Sequence, residues 1–390
     1  MMTRTVVIAG AGIGGLTAAL ALARRGYRVA VLDQAPQLEE IGAGIQLSPN
    51  ASRVLLALGL GDELKRHVVA PQELRIIDAS SARVLARAPL GGFAENRYGA
   101  PYWVIHRGDL QAVLLAAVRA DPAIALDLGT RVEDFAIDDD GISVLGSAQR
   151  GVALIAADGL WSTLRARLGH ADAPRFARHT AWRALLPAEA LAADLRAPAV
   201  HLWLGRDGHL VHYPVRGGSL LNVVAIMRDD WHEEGWNAPG GRAELLARYP
   251  AGAWPAAAHA LLAAPERWHK WALCDLAPLA HWGHGPVTLL GDAAHPMLPY
   301  LAQGAAMAIE DAAVLAQRLA AAPGDVAGAL RDYERQRRPR TGRAQHAART
   351  NQAVYHLGRP AAALRALALM AMGGERLITR YDWLYGWTPP

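Results

Sequence analysis

Cysteine is almost missing from this chain, for Cys274 is the only one in 390 residues. That excludes an intramolecular disulfide, a CxxC redox pair and a thiolate zinc site, and makes a reducing, cytoplasmic setting the expectation. Excess charge is thin as well, with 40 Lys and Arg against 36 Asp and Glu, a net charge of +4 and no dense basic block. Nucleic acid is therefore not an expected partner, and a mildly positive field suits small anionic ligands instead. No apolar run reaches the roughly 18 residues of a membrane span. The C-terminal segment Ala361–Met372 is shorter, is broken by Arg365, and reads as a packing helix. HExxH and GxSxG are both lacking, and so is any Cys/His metal spacing. His281 and His284 enclose Trp282-Gly283 in what reads as a surface loop rather than a ligand pair.

What is present describes a globular chain, with 52% hydrophobic and 19% charged residues. Its length exceeds the size at which one core stops growing, so at least two structural units are expected. Thr5–Ala9 is a β-branched run, Gly10-Ala-Gly12-Ile-Gly14-Gly15 a turn, and Leu16–Arg25 a stretch of helix formers closed by Gly26. Tyr27–Leu32 follows as a second strand ending at Asp33, which completes a βαβ unit. Strands are also predicted at Ile142–Val144 and Val152–Ala157. Between Trp182 and Arg228 the pattern becomes sheet-like, with strands such as Val200–Leu204 and Leu220–Ile226. Pro286–Gly291 returns to a buried strand, and Gly304–Leu319 and Val326–Ala348 read as helices. Arg335, Arg337, Arg338, Arg340 and Arg343 crowd the last of these on what reads as a solvated face.

Gly10, Gly12 and Gly15 fit GxGxxG, in which the first glycine allows the turn, the second lets backbone approach a pyrophosphate, and the third lets the helix pack closely. Asp33 stands where a carboxylate can accept hydrogen bonds from an adenosine ribose. The motif binds ADP-ribose in either NAD or FAD and does not separate them. Two later segments do: Asp158-Gly159-Leu160-Trp161-Ser162-Thr163-Leu164-Arg165 and Gly291-Asp292-Ala293-Ala294-His295-Pro296, each following a strand.

In this order and spacing the three segments resemble the flavoprotein aromatic hydroxylases of the para-hydroxybenzoate hydroxylase fold. The salicylate hydroxylase and 3-hydroxybenzoate 6-hydroxylase group is the most similar. The likeness extends to His106-Arg107-Gly-Asp109-Leu-Gln111, Tyr213-Pro-Val-Arg-Gly217, Gly304-Ala-Ala-Met-Ala-Ile-Glu-Asp311 and Asp382-Trp-Leu-Tyr-Gly386. It implies an α/β fold: a Rossmann-like FAD-binding domain with an inserted, mainly β substrate domain and a C-terminal helical segment. The expected boundaries are 1–70, 101–175 and 270–320 for FAD, 71–100 and 176–269 for substrate, and 321–390 for the helices. It also implies that Arg107 and Gln111 contact the FAD diphosphate and ribityl chain, that Asp292, beside Gly291, bonds the ribityl, and that Asp158 serves both FAD and the nicotinamide nucleotide. A surface-helix role for Arg107 and a helix cap for Asp158 stay open. The family usually carries Glu at the place of Asp33, a departure that touches geometry rather than cofactor. No second GxGxxG exists for a separate NAD domain, as the resemblance would have it.

The activity so implied is hydroxylation of a small phenolic acid, salicylate- or 3-hydroxybenzoate-like, by NADH or NADPH and O2 through a flavin C4a-hydroperoxide. Such chemistry requires a proton acceptor for the phenol. Aligned on Tyr213-Pro214, His209 stands where 3-hydroxybenzoate 6-hydroxylases carry a histidine facing the phenol, and is the base candidate. Tyr213 is a second pocket candidate, and His212 is expected on the opposite face of the strand. Pro299 replaces a glutamine of the 3-hydroxybenzoate 6-hydroxylases, which leaves the ring position open. The alternatives are a hydroxylated N-heterocycle such as 6-hydroxynicotinate or an epoxidisable alkene as substrate, a plain NAD-dependent dehydrogenase, or a catalytically idle FAD-binding module. A homodimer is left open as the assembly.

Overall fold

The computed structural model describes residues 4–38, 43–139, 141–231, 238–250 and 253–389. Thr5–Ala9 lies between Arg28–Asp33 and Ala153–Ala156, paired in parallel with both. Ile124–Leu128 extends the sheet on one side, and Val287–Leu289 with the antiparallel Gly283–His284 on the other. Val6, Val7, Ile8, Val31, Leu154 and Ile155 are all buried. Helices cover the faces of such a sheet, which is why its strands read as continuous apolar runs rather than alternating ones. The helix Ile13–Ala23 leaves the first strand through Gly10, whose φ is +111°. Only glycine adopts that backbone readily.

The second sheet has eight strands, in the order Ala238–Gly240, Trp268–Asp275, Arg175–Pro187, Leu220–Arg228, Gly208–Val215, Ala199–Gly205, Glu73–Asp78 and Val84–Pro89. The chain leaves this sheet at Asp275, a few residues beyond the boundary expected from the sequence. All its pairings are antiparallel except that of Ala199–Gly205 with Glu73–Asp78. Alternation then divides its side chains. Trp182, Trp203, Leu210 and Trp268 pack on one face with Leu245, Leu261 and Leu262 of the helices Arg242–Arg248 and Ala256–Ala263. Ala181, Leu204, Tyr213 and Ile226 share the other face with Tyr300, Met307, Ala344 and Ala348. This second face is turned toward the FAD-type unit and the long helices.

Those helices are Gly304–Ala321 and Val326–Tyr355, followed by Ala361–Met372, Gly374–Thr379 and Asp382–Tyr385. Two expectations fail here. Arg337 is 1% exposed and Arg340 lies mostly under cover, so the arginines do not share a solvated face. Arg337 donates to Glu310 Oε2 and Asp311 Oδ1, both at 2.6 Å, and Arg340 donates to Glu310 from Nε and Nη2 at 2.6 and 2.7 Å. Charges this deep persist because the carboxylates of the neighbouring helix meet them. Of the pattern only Arg335, 73% exposed at its side chain, and Arg343 are exposed. The helix Ala361–Met372 is also less buried than expected, with Leu364 and Leu367 open to solvent and Arg365 its one buried residue. No helix among the described residues is long and apolar enough to cross a membrane.

Candidate active site

At the carboxyl ends of the parallel strands lies a cleft of about 750 Å3 that gathers Gly10, Gly12, Asp33, Arg107, Gln111, Asp158 and Asp292. A crevice there is where open α/β sheets take ligands. Gly15 and Gly291 stand behind it. A Cβ on Gly15 would sit 1.9 Å from the Gly10 carbonyl oxygen, and Gly291 has φ +62° with Ala308 close by. Gly12 differs, since a Cβ built there meets nothing within 4 Å. The first and third glycines are thus demanded by the fold, while the second opens on the space of the cleft.

The polar residues divide their groups between scaffold and cleft. Asp33 accepts from the Ala11 N–H at 2.6 Å through Oδ2 and from the Ala35 N–H at 2.8 Å through Oδ1, so the carboxylate pins the glycine turn. Gln111 donates to the Ala11 carbonyl at 3.3 Å. Asp158 caps a helix with one oxygen, accepting from Leu164 N–H at 3.2 Å, while its Oδ1 is buried without a partner among the described residues. Burial raises the Asp292 carboxyl above its usual value, opposed by His295 and Arg107. An orphaned acceptor, a recessed carboxylate, an unobstructed glycine backbone and the cation of Arg107 fit a diphosphate with sugar hydroxyls, which is the polar half of FAD.

Farther in, the strand Gly208–Val215 presents His209 and Tyr213 to the inner face of the large sheet. His209 is 2% exposed, and its ring centroid lies 5.4 Å from that of Tyr300, one residue beyond Pro299. Burial pushes the imidazole well below its ordinary pKa, with His356 and His179 adding to the effect. His212 points to the opposite face, where its Nδ1 accepts from Trp203 Nε1 at 3.2 Å and its ring stacks on His201. Tyr213 is 3% exposed and packs so closely on Gly44 that a Cβ there would come within 2.4 Å of its ring. Gly44 is held in turn by its N–H bond to Asn222 Oδ1 at 2.7 Å. Burial raises the Tyr213 phenol, so the group stays protonated.

Arg183 and a set of aromatic and imidazole rings escaped the sequence reading. Arg183 lies on the inner face of the same sheet, over the Trp271 ring at 4.8 Å, and its buried Nε has no partner among the described residues. Burial lowers its pKa to about 10, and the neighbouring charge of Arg107 acts in the same direction. The available signal was an arginine at an inward position of Ala181-Trp-Arg183-Ala-Leu185, where its neighbours two residues away are apolar. Tyr300, Tyr355, His356 and His179 surround His209. Nothing local in the sequence marks them as a group.

Fold and cleft define a flavin-dependent aromatic monooxygenase. The chain belongs to the family described as FAD binding domain, which matches residues 3–348. It is 39% identical over 385 residues, 98% of its length and 96% of the relative's, to a 3-hydroxybenzoate 6-hydroxylase of Polaromonas naphthalenivorans. A 6-hydroxynicotinate 3-monooxygenase of Bordetella bronchiseptica is 36% identical over 353 residues, covering 89% of this chain and 91% of that one. Among solved structures, a salicylate hydroxylase substrate complex superposes with a TM-score of 0.84 at 28% identity, covering 99% of this chain and 96% of the other.

Proposed function

We propose that the protein hydroxylates a small phenolic acid of the salicylate or 3-hydroxybenzoate kind, with NADH or NADPH as reductant and O2 as oxidant. The observation that carries this reading is His209, a neutral imidazole buried on the inner face of the large sheet against Tyr300. FAD, when bound, supplies the electron transfer and oxygen activation. Gly12, Arg107, Gln111, Asp158 and Asp292 would hold it, with Asp33 bracing the turn and reaching for the ribose. His209 would take the phenolic proton, Tyr213 would donate its O–H to a substrate oxygen, and Arg183 would meet the carboxylate. The sheet, closed behind by the tryptophan layer, keeps water away from these groups.

Magnitude sets the demand on His209. A phenol near pKa 10 and an ordinary imidazole near 6.5 make complete transfer uphill by roughly 4–5 kcal/mol. A depressed imidazole makes it steeper, so the proton moves only if the phenolate or the imidazolium gains help. Arg183 supplies a positive charge beside Tyr213 that favours the phenolate. The relative acting on 6-hydroxynicotinate supports a second reading, in which the ring is a hydroxypyridine.

The test is turnover by the FAD-loaded protein with a panel of hydroxybenzoates and hydroxypyridines, scoring hydroxylated product against hydrogen peroxide for NADH and NADPH separately. Product from a hydroxybenzoate is the expected result. Product from hydroxypyridines alone would favour the second reading, and peroxide without product from every acid would refute both.

A further inference from the structure

His209 is the inner end of a chain of three imidazoles. Its Nδ1 lies 2.9 Å from His356 Nε2, and His356 Nδ1 lies 3.1 Å from His179 Nε2. At the far end His179 Nδ1 is 2.9 Å from the Ala177 carbonyl oxygen. Three separate elements supply these rings. His209 comes from the strand Gly208–Val215, and His356 caps the C-terminus of the helix Val326–Tyr355. His179 lies within an irregularity of Arg175–Pro187, between Phe176 and Thr180, where Arg178 has φ +55°. Bulges of this kind re-aim side chains, and this one brings the Ala177 carbonyl to the ring of a residue two positions on.

The carbonyl sets every proton in the chain. It can only accept, so His179 Nδ1 carries its hydrogen, and Nε2 of the neutral ring must accept from His356 Nδ1–H. His356 Nε2 then accepts from His209 Nδ1–H. By the same rule His209 Nε2 is left as a bare lone pair, and it has no hydrogen-bond partner among the described residues. Gln352 places its amide Nε2 2.9 Å from His179 Nδ1, so this order of protons requires the amide turned end for end, with its oxygen accepting there, the two ends of an amide being alike in shape.

We propose that His356 and His179 form a proton relay that carries the phenolic proton from His209 to the protein surface, an inference that rests on His209 as the base of the proposed hydroxylation. The phenol O–H breaks as an N–H forms on His209 Nε2. His209 Nδ1–H passes to His356 Nε2, and His356 Nδ1–H passes to His179 Nε2. No electrons change hands, the substrate becomes a phenolate, and His179 becomes an imidazolium that yields one proton to water. The reverse passage restores the three rings when the product takes its proton back. His356 and His179 act through His209 and are positioning residues.

The physical gain lies in where the charge rests. An imidazolium at His209 would be almost wholly buried, whereas His179 and His356 are half-buried. At His179 the exposed Asp207 carboxylate favours the charge, although Arg228 opposes it. Arg365 bears on His356 in the opposing sense. Tyr300 and Tyr355, the other rings against His209, are held protonated by burial and offer no competing acceptor.

His356→Gln keeps a donor and an acceptor at the middle of the chain but cannot pass a proton through itself. With FAD bound and a hydroxybenzoate that the wild type turns over, this variant is expected to form about tenfold less product per nucleotide oxidised, with flavin reduction hardly changed. A ring-fluorinated hydroxybenzoate, whose phenol ionises more readily, should recover most of that loss. Full coupling in His356→Gln, or a loss that the fluorinated acid leaves in place, overturns the relay. Nitrogen-15 spectra of the histidines in the FAD-loaded protein read the chain without turnover. Hydrogen on Nδ1 of all three rings at neutral pH is the expected result, with a changed tautomer at His356 in His179→Gln. Hydrogen on Nε2 of His209 or His356 overturns the relay by itself. Failure of the wild type to hydroxylate any acid removes the proposed function instead, and the spectra still decide the order of protons in the chain.

Discussion

At His209 burial and basicity pull against each other. The ring is neutral and ready to accept, yet its surroundings disfavour the cation that acceptance creates. His209→Ala should therefore oxidise nucleotide while releasing peroxide, with the hydroxylation step slowed by about 10²–10⁴ and flavin reduction much less affected. A variant that stays yellow, binds substrate and keeps wild-type coupling in rapid-mixing absorbance would show that the ring only packs the sheet. Asp292 makes a simpler case, since a carboxylate that held ribityl hydroxyls would be worth a charged hydrogen bond. Asp292→Ala should weaken FAD affinity by about 1.5–3 kcal/mol, read by fluorescence titration, and unchanged affinity would refute the contact. Arg183 lacks an anionic partner within the described protein, and a substrate carboxylate would provide one. Arg183→Met should raise KM for a hydroxybenzoate roughly tenfold or more but change little for the matching hydroxybenzamide. Equal effects on both would place the arginine elsewhere in the reaction.

At the scale of elements, the helix Val326–Tyr355 is tied to Gly304–Ala321 by charge as well as by apolar packing. Arg337 spans Glu310 and Asp311, while Asn50 Nδ2 donates to Glu310 Oε1 at 2.6 Å and His295 Nε2 lies 2.6 Å from Asp311 Oδ2. Burial by itself would raise the Asp311 carboxyl, but His295 and Arg337 outweigh it and hold the group below its usual value. Removing the cation leaves Glu310 with Arg340 and Asp311 with His295 as the counter-charges that remain. Arg337→Leu should cost about 3–5 kcal/mol in denaturant unfolding, and a loss under 1 kcal/mol would mean the network relaxes or takes up water. The same network explains why the arginine-rich pattern misleads when read locally. Arginines at 337 and 340 share an inward face with Thr341, Ala344 and Ala348, and whether that face meets solvent depends on a helix that ends several residues earlier.

For the whole molecule, the buried histidines make stability depend on pH. Burial lowers the pKa of His179, His201, His209, His212 and His356, His201 to about 4 and His356 to about 3. Each would bind a proton near its ordinary value of about 6.5 once unfolded, so the unfolded chain holds more protons below that pH. The stabilisation is therefore complete above roughly pH 6.5 and is lost as pH falls toward the lowered values. Melting temperature should decline steadily from pH 7 to pH 5, and replacing His201 and His212 by apolar residues should flatten the decline if the fold survives. A melting temperature independent of pH over that range would show that these rings are hydrated or already charged in the native state.

Local chemistry made the FAD-type unit legible from sequence. A glycine turn and a strand-ending Asp33 act through backbone geometry within a few residues, so Gly10, Gly12 and Asp33 could be named from local chemistry, whereas Asp158 and Asp292 were named through the family resemblance of their segments. Period-two alternation likewise placed His209 and His212 on opposite faces, as the register shows. Tertiary structure alone decided what each face meets. His179, His209 and His356 come from two strands and a helix end far apart in the chain, and Arg183 takes its meaning from Trp271 and Arg107. The physical reason is that burial and charge pairing belong to neighbours in space, while sequence patterns report only neighbours along the chain.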